Sequence, residues 1–441
     1  MAVGAAMISA AVASAGTLTV KFGSAMEVIE GGVTNTYVTG ATFVPRAIPC
    51  IYKMRMGGLA AGERTFDIRG NDQIHGSNHY RFPQYGDDGW VRVALNPYPS
   101  SDTTVELTAH KVSKVYYVDE KNGKDSYDGT ADADHIDDAN GKGPKATLQA
   151  AHDAAQTGDA TKGFPVVYVA PGFYTNGSTV ATYTPNDTSK PPSSSRRRLV
   201  ATKNIAFIAT YGPEKTFIVG EPDKESSDNF GENAVGGVYM YTQSNSAYLQ
   251  GFTITGCYSP AAQTGLGHYG TGFCSSTYRV SCLDCIISNN HAKTYYPAAS
   301  YGNYYRVKFI ENKSPSYVNY YGTFISCIFA GNRVTRANNT DNASALHTQA
   351  HSYFCTYDLG DADYPQGRRR LNSSSGNSIN AALIYKLINP AEGQDTSWYC
   401  SQVIDNPLFA NASSRDYRLG ILSPALDVYS YENDLNGACV V

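Results

Sequence analysis

A short motif that recurs at a nearly constant spacing constrains the fold of this chain more than any other feature. Residues 285–290 read Cys-Ile-Ile-Ser-Asn-Asn, residues 308–313 read Lys-Phe-Ile-Glu-Asn-Lys, and residues 327–332 read Cys-Ile-Phe-Ala-Gly-Asn. The step is roughly 21 residues, a period at which one coil cannot bury its own apolar face and must stack on its neighbours. Asparagine at a fixed place suits such coils, because short polar residues tolerate left-handed bends and can form ladders. The motif therefore predicts a stack of coils of roughly 21 residues.

Tyrosine repeats reinforce this spacing. Ser-Tyr-x-Asn-Tyr-Tyr occurs at residues 300–305 and again at residues 316–321. Tyrosines at one coil position predict either exposed rings that stack on sugars or on another protein, or a ring ladder on one face of the stack, and both interpretations stay open. The candidate glycan- or partner-binding tyrosines are Tyr295, Tyr296, Tyr301, Tyr304, Tyr305, Tyr320 and Tyr321.

Composition excludes some classes of function. Charged residues make up 17% of the 441 residues, against about 25% in an average soluble domain. The net charge of −4 gives no electrostatic basis for binding nucleic acid. Tyrosine (34 residues) and glycine (41 residues) are abundant, which is typical of an extracellular all-β surface. We therefore expect an extracellular or cell-surface protein.

The first part of the chain has a different texture from the repeats. Residues 17–114 contain short segments of alternating apolar and polar residues, separated by Gly, Pro and Asp, which predict a small β-sandwich-like domain. The predicted strands cover residues 17–22, 36–44, 51–56, 64–68, 90–95 and 105–112.

Residues 1–16 carry no charge and consist mostly of small or apolar residues. They lack the basic region of a secretory signal, and they are too weakly hydrophobic to predict a transmembrane span. We expect an N-terminal arm that packs on a neighbouring subunit, so that self-association, including assembly into a filament, is expected. The alternatives are a stretch derived from the expression vector and a segment that packs on its own domain.

The segment after residue 115 carries several spaced elements. Residues 116–130 read YYVDEKNGKDSYDGT, and residues 144–177 contain Thr-Leu-Gln-Ala-Ala, Gly-Asp and Val-x-Val-Ala-Pro-Gly-x-Tyr. This order resembles the opening segment of right-handed parallel β-helix proteins of the pectate-lyase-like superfamily, many of them bacterial surface or secreted proteins. The resemblance implies a parallel β-helix over residues 115–441, with a capping helix near residues 147–157. Thr147 is the expected N-cap, and a strand is expected over residues 166–170.

The end of the chain resembles the closing segment of the same proteins. Residues 403–437 contain Asn-Pro-x-Phe, Asp-Tyr-Arg-Leu, Ser-Pro-Ala-x-Asp and Asp-Leu-x-Gly in that order. Asn406 lies where the family pattern usually has Asp, and Val428 replaces the usual small residue after Asp427. The fold class expected from both ends is therefore all-β, a right-handed parallel β-helix preceded by a small β domain.

The nine cysteines are predicted to be buried or disulfide-bonded. A secreted protein would normally pair its cysteines, and because nine is an odd number, one would be left for an intermolecular bond or as a free thiol. Cys282 and Cys285 have CxxC spacing, but no second CxxC completes a four-thiolate zinc site.

Basic triplets and one acidic segment supply further candidate sites. Arg196, Arg197 and Arg369 belong to two arginine triplets. Each triplet either binds an acidic glycan or is simply the exposed end of a loop. No cofactor is expected other than Ca²⁺, which needs six to eight oxygen ligands. The candidate metal ligands are Asp119, Asn122, Asp125 and Asp128, although in the resembled family this turn is usually architectural.

The expected function is that of an extracellular or cell-surface non-catalytic protein with a structural, adhesive or glycan-binding role. The alternative is a polysaccharide lyase or glycoside hydrolase, because some members of the resembled superfamily have these activities. The fold cannot distinguish them. The sequence offers one compact acidic group in the later coils, Asp358, Asp361 and Asp363, more consistent with a solvated loop than with a pair of catalytic carboxylates. No catalytic residue is therefore assigned.

Overall fold

The structure, a computed structural model, is predominantly β, which confirms the all-β prediction. It describes residues 17–30, 32–45, 50–70, 79–82, 90–95, 102–158, 162–183, 193–241, 247–259, 270–275, 280–293, 298–314, 318–325, 327–334, 347–353, 356–358, 371–372, 378–379, 398–399, 402–404, 409–411 and 416–419. The expected N-terminal arm, residues 1–16, lies outside these ranges.

The first strands are β1 (Leu18–Phe22), β2 (Met26–Glu30), β3 (Val33–Tyr37), β4 (Thr42–Phe43), β5 (Cys50–Met56), β6 (Thr65–Gly70), β7 (His79–Phe82), β8 (Val91–Leu95) and β9 (Thr103–Val118). Two 3₁₀ turns, Ala133–His135 and Asp138–Asn140, and the helix α1 (Leu148–Ala154) follow.

The remaining strands are β10 (Phe164–Val169), β11 (Gly172–Tyr174), β12 (Thr179–Tyr183), β13 (Ser193–Ala201), β14 (Ala206–Ala209), β15 (Thr216–Val219), β16 (Val235–Met240), β17 (Ala247–Gln250), β18 (Thr253–Thr255), β19 (Tyr258–Ser259), β20 (Phe273–Ser275), β21 (Val280–Leu283), β22 (Ile286–Ser288), β23 (His291–Ala292), β24 (Ala299–Ser300), β25 (Asn303–Tyr305), β26 (Lys308–Ile310), β27 (Lys313–Ser314), β28 (Asn319–Ile325), β29 (Ile328–Ala330), β30 (Arg333–Val334), β31 (His347–Tyr353), β32 (Thr356–Asp358), β33 (Leu371–Asn372), β34 (Ser378–Ile379), β35 (Trp398–Tyr399), β36 (Gln402–Ile404), β37 (Phe409–Asn411) and β38 (Asp416–Leu419).

Strands β1 to β9 form two sheets that share one core. One sheet is antiparallel, in the order β3-β2-β5-β8-β7. In the other, β9 pairs in parallel with β1 and antiparallel with β6, and β4 pairs with β1. Alternate side chains of β1 and β2, such as Val20 and Val28, join one buried cluster. The single strand predicted over residues 36–44 is wrong, because a turn at Gly40 (φ 86°) separates β3 from β4.

β9 connects this unit to the parallel strands that follow. Its first part pairs with β1 and β6, and its last residues pair in parallel with β10. The predicted boundary between residues 114 and 115 therefore lies inside one continuous strand.

α1 forms where the sequence predicts a helix. The Thr147 hydroxyl is the N-cap and accepts the backbone N–H of Ala150 at 3.2 Å. Leu148, Ala151 and the C-cap residue Ala155 are buried in the cluster that also contains the inward side chains of the parallel strands. Helix α1 packs on β9 and β13, so it covers the core beside the first parallel strands.

Four columns of parallel strands follow. Column one comprises β13, β16, β20, β24 and the first parts of β28 and β31. Column two comprises β9, β10, β14, β17, β21, β25, the last parts of β28 and β31, and β35. Column three comprises β11, β15, β18, β22, β26, β29, β32 and β36, and column four comprises β19, β23, β27 and β30. The chain visits the columns in the same order each time, for example through β20, β21, β22 and β23 and then through β24, β25, β26 and β27.

The register of the columns agrees with the repeat that the sequence predicts. Ile286, Lys308 and Ile328 are partners in column three. Asn290 and Asn312 are 22 residues apart, and Asn312 and Asn332 are 20 residues apart. The three motif copies therefore occupy equivalent places on successive passes of the chain.

The side chains that point between the columns form one buried core. Val167 and Val169 belong to it, whereas Val166 belongs to a separate cluster, as the alternation of faces along a strand requires. Two ring pairs stack across strands: Tyr304 on Phe324 at 4.8 Å, and Phe309 on Phe329 at 4.7 Å.

Cysteines contribute thiols to this core. The structure describes the side chains of Cys257, Cys274, Cys282, Cys285 and Cys327, all buried and none in a disulfide. Burial raises the pKa of Cys257 to about 12, so that its thiol stays protonated. The disulfides expected from the cysteine count are thus not found among these five residues. The side chains of the other four cysteines lie outside the described residues.

A buried polar group lies where the first unit meets column two. The Asp67 carboxylate accepts the hydroxyl of Tyr248 at 2.6 Å, and its other oxygen lies 3.0 Å from Nδ1 of His110. Phe66 stacks on Phe164 at 4.8 Å beside this group. Since Tyr248 lies on β17 and Asp67 on β6, the contact holds the first unit on the outer side of column two.

Candidate functional site

An asparagine ladder fixes the corner between columns three and four. The side-chain amide of Asn290 donates to Oδ1 of Asn312 at 3.0 Å, and the amide of Asn312 donates to Oδ1 of Asn332 at 2.9 Å. The backbone N–H of Cys257 donates to Oδ1 of Asn290 at 3.0 Å, so Cys257 takes the equivalent place one pass earlier. The ladder residues are buried. Each corner is therefore held rigidly, together with the residue that follows it.

The residues that follow the ladder form the candidate site. Tyr258, His291, Lys313 and Arg333 occupy one register position of column four, and we call them the column-four row. In β19, β23 and β27, the residue after the row position is buried, so the row itself lies on the outer face of column four. Tyr258, His291 and Lys313 are half-buried, and Arg333 is exposed. With strands about 4.8 Å apart, the row extends over about 15 Å.

Aromatic rings form one half of the row. The Tyr258 ring stacks on the His291 imidazole at 4.8 Å and 11° between planes. The Phe230 ring also contacts Tyr258, with centroids 5.5 Å apart and the two planes tilted by 51°. The two stacked rings therefore have their faces turned toward each other and their edges outward, and the row continues into the cationic side chains of Lys313 and Arg333. The ring edges can contact a sugar ring while the cations pair with acidic groups.

The electrostatics of the row depend on His291. Burial and the neighbouring Lys313 ammonium lower the pKa of His291, so the imidazole is neutral at pH 7. Its Nε2 lies 3.1 Å from Oδ1 of Asn289. At the border of the row, Lys293 forms a 2.6 Å ion pair with Asp228, and this contact lowers the pKa of the aspartate. Added anionic charge over the row would favour protonation of His291.

Sequence analysis missed the column-four row, although the repeat carries its signal. Each copy of the motif contains a ladder asparagine, and the residue after that asparagine is His291, Lys313 or Arg333. A basic residue at one phase of the repeat is therefore visible in the sequence.

The predicted tyrosines do not form one exposed face. Tyr304 and Tyr305 are buried, so neither ring is open to a glycan, which corrects that prediction. Tyr304 points into the core, where burial raises its pKa, and the Arg306 guanidinium lies over the Tyr305 ring at 4.4 Å. Tyr301 is half-buried and has a left-handed backbone (φ 50°). The other four candidate tyrosines have side chains that lie outside the described residues: Tyr295, Tyr296, Tyr320 and Tyr321.

The first arginine triplet lies on β13 rather than on a loop. Arg197 is fully buried, and Nη1 donates to the carbonyls of Gly270 at 2.7 Å and Thr271 at 2.9 Å. Because this guanidinium is bound to backbone in the core, its predicted role in binding a surface glycan is wrong. Arg196 is half-buried, and Arg369 lies outside the described residues.

The proposed calcium ligands are engaged in local hydrogen bonds. Asp119 accepts the backbone N–H and side-chain amide of Asn122 at 2.9 and 3.0 Å. Asp125 accepts the backbone N–H and hydroxyl of Thr147 at 2.9 and 3.0 Å, which ties the acidic segment to the N-terminus of α1. Asp128 accepts the backbone N–H and hydroxyl two positions further along the chain. These contacts give the segment an architectural role.

Other observations concern the chain as a whole. Over the ranges that the structure describes, no group of three or more His, Cys, Asp or Glu side chains is placed to hold a metal ion. No described helix has the length and apolar character needed to cross a membrane.

Of the acidic group in the later coils, Asp358 lies at the end of β32, and Asp361 and Asp363 lie outside the described residues. Neither protein-family models nor curated protein sequences match this chain.

Proposed function

We propose that this is an extracellular or cell-surface protein whose chain from β9 onward is a right-handed parallel β-helix. We further propose that it binds an acidic glycan without cleaving it. The ordered return of the chain through columns one to four supports a helix of coils. Right-handedness is supported by the strong preference of parallel β connections for that hand. The opening and closing motifs of the sequence, which resemble those of right-handed parallel β-helix proteins, also support this fold.

The column-four row carries the functional part of the proposal. A sugar ring in contact with the outward edges of Tyr258 and His291 would leave carboxylate or sulfate groups of the same polymer within reach of Lys313 and Arg333. The row crosses the coils in a straight line, which suits an extended polymer rather than a small molecule. Its residues come from separate passes of the chain, so the fold sets their spacing before the ligand binds.

Isothermal titration calorimetry with polygalacturonate, chondroitin sulfate and neutral dextran tests this function. We expect binding of at least one acidic polymer, weakened by salt, and no binding of dextran. The double variant Tyr258→Ala/Lys313→Ala should weaken binding about tenfold or more, because it removes an aromatic contact and a cation. The matched control, Tyr211→Ala/Lys215→Ala, changes the same residue types at exposed positions away from the row and should bind normally.

Lack of binding to every acidic polymer, or equal binding by the row variant and the wild type, contradicts the proposal. The same mixtures should be assayed for ultraviolet-absorbing unsaturated uronides and for new reducing ends. Formation of either product would instead favour a polysaccharide lyase or a glycoside hydrolase.

A further inference from the structure

The edge strand β3 has the properties of a surface that pairs with another strand. Among the described strands, β3 pairs with β2 alone and lies at the border of its sheet. Its sequence, Val-Thr-Asn-Thr-Tyr, contains no charge and no proline. Val33 at its start and Val38 just after its end are 61% and 70% exposed. Soluble proteins normally protect such edges with charged residues, proline or a bulge.

The register of β2 and β3 identifies the backbone groups at this open edge. Glu30 and Val33 flank the hairpin turn and are partners, so they form a hydrogen-bonded pair. Hydrogen-bonded and non-hydrogen-bonded pairs alternate along an antiparallel ladder. The N–H and C=O groups of Val33, Asn35 and Tyr37 therefore point toward β2, and those of Thr34 and Thr36 point away from the sheet.

We propose that β3 pairs antiparallel with β3 of a second copy of this chain, about a two-fold axis at Asn35. In this register Thr34 lies opposite Thr36 of the second copy, and the two threonine pairs exchange four backbone hydrogen bonds. Val33 lies opposite Tyr37 of the second copy. Threonine–threonine and aromatic–β-branched pairs stabilise antiparallel strands, and no like charges meet.

The directions of the side chains support a second copy of this chain as the partner of β3. Tyr37 shares a face with its buried partner Met26, and its ring lies 4.8 Å from Phe22 in the core. Val33 lies on the same face but is largely exposed. The second copy would cover Val33 with its own Tyr37 ring and extend the core across the axis. Burial and the Glu30 carboxylate raise the pKa of Tyr37 to about 12, so the ring stays neutral in the interface.

Sedimentation velocity of the full chain, from about 1 to about 200 µM, tests the proposal, since a single added strand pair gives a small interface and a weak dimer. We expect a reversible dimer. The variant Thr34→Lys/Thr36→Lys places Lys opposite Lys and should raise the dimer dissociation constant about tenfold or more. A 1:1 mixture of this variant with Thr34→Glu/Thr36→Glu should restore a dimer, because each Lys then faces a Glu.

Two control variants separate other contacts from this one. Val180→Lys/Thr182→Lys introduces two lysines at the same spacing at exposed positions of β12, a second strand without charge, and should leave the dimer intact. Deletion of residues 1–16 should also leave it intact. A wild type that stays monomeric to about 200 µM overturns the proposal, and so does a dimer that only the β12 change or the deletion dissociates.

Hydrogen exchange gives a readout that does not depend on variants. The amide hydrogens of Thr34 and Thr36 should become protected as the concentration of the wild type rises, because they form bonds only in the dimer. Exchange at these two positions that does not change with concentration, in a sample that sediments as a dimer, would place the interface elsewhere.

Discussion

At the scale of single residues, the corner before column four depends on two neighbours with different tasks. Asn289, Glu311 and Gly331 have left-handed backbones, with φ between 51° and 60°, and turn the chain. The residue after each of them is a ladder asparagine with an ordinary backbone, and its side chain satisfies buried backbone groups of the adjacent strands. The prediction that asparagine suits this place is confirmed for the ladder, whereas the bend itself belongs to the preceding residue.

The central ladder residue should be the most sensitive to substitution. Asn312→Ala removes the acceptor of both the backbone and the side-chain N–H of Asn290, and the donor to Ile287 O at 2.9 Å. We expect the free energy of unfolding to fall by about 2–3 kcal/mol, because buried donors are left without partners. Urea denaturation followed by circular dichroism measures the change. Asn233→Ala, at an exposed position, is the control and should alter stability by less than about 0.5 kcal/mol.

At the scale of elements, α1 is a short helix whose end is secured by its surroundings. The Lys203 ammonium donates to the carbonyls of His152 and Ala155, each at 2.7 Å, and so satisfies backbone acceptors that a helix C-terminus leaves open. Nε2 of His152 accepts the backbone N–H of Thr202 at 3.1 Å, which requires a neutral imidazole. Seven residues are too few to form a stable helix alone, so these contacts and the buried face hold α1 in place.

The buried histidine predicts acid sensitivity. Burial and the neighbouring Lys203 lower the pKa of His152, outweighing the effect of Asp153. As the pH falls below about 6.5, the unfolded chain takes up a proton first, so stability declines toward pH 5. His152→Gln keeps an acceptor for Thr202 but cannot be protonated, and it should flatten this decline when unfolding is measured from pH 7 to pH 5.

His135→Gln is the matched control for that experiment. His135 is exposed, and its contact with Asp132 raises the pKa of the imidazole. Its contribution to stability therefore has the opposite sign, present below the unfolded pKa and lost as the pH rises. A decline between pH 7 and pH 5 that is equally steep in the wild type and in His152→Gln would contradict the role given to His152.

At the scale of the whole molecule, β9 and the Asp67 group join the first unit to the parallel columns. The strand is continuous through both parts, and the carboxylate links β6 to β17 across 181 residues of sequence. Asp67 is fully buried, so its carboxyl group needs hydrogen-bond partners inside the protein, among them the Tyr248 hydroxyl and the His110 imidazole. We therefore expect the first unit and the columns to unfold together.

Tyr248→Phe tests this coupling. The change keeps the ring and removes the hydroxyl that Asp67 accepts at 2.6 Å, so stability should fall by about 2–3 kcal/mol. Limited proteolysis should then cleave within residues 17–114 earlier than in the wild type. Tyr211→Phe, on a ring that is 72% exposed, is the control and should leave the cleavage pattern unchanged. An unaltered pattern in Tyr248→Phe would show that β9 alone couples the two parts.

Features that depend on neighbouring residues could be predicted from the sequence alone. The all-β class, the repeat of roughly 21 residues, the Thr147 N-cap and the shared face of Val167 and Val169 all follow from periodicity and local hydrogen bonding. The predicted strand over residues 166–170 corresponds to β10, which begins two residues earlier than its first predicted residue, at Phe164.

The exposure of polar and aromatic side chains, by contrast, depends on how distant parts of the chain pack together. Tyr304 and Tyr305 point to opposite sides of one strand, and an isolated sheet would expose one of them. Both are buried, because the outer side of column two carries a cluster that contains Tyr305 and Phe66 of β6. Arg197 is buried for a related reason: the chain at Gly270 and Thr271 supplies carbonyls to it from 73 and 74 residues away. Such contacts depend on which surfaces meet after long connections, and no local pattern in the sequence specifies that meeting.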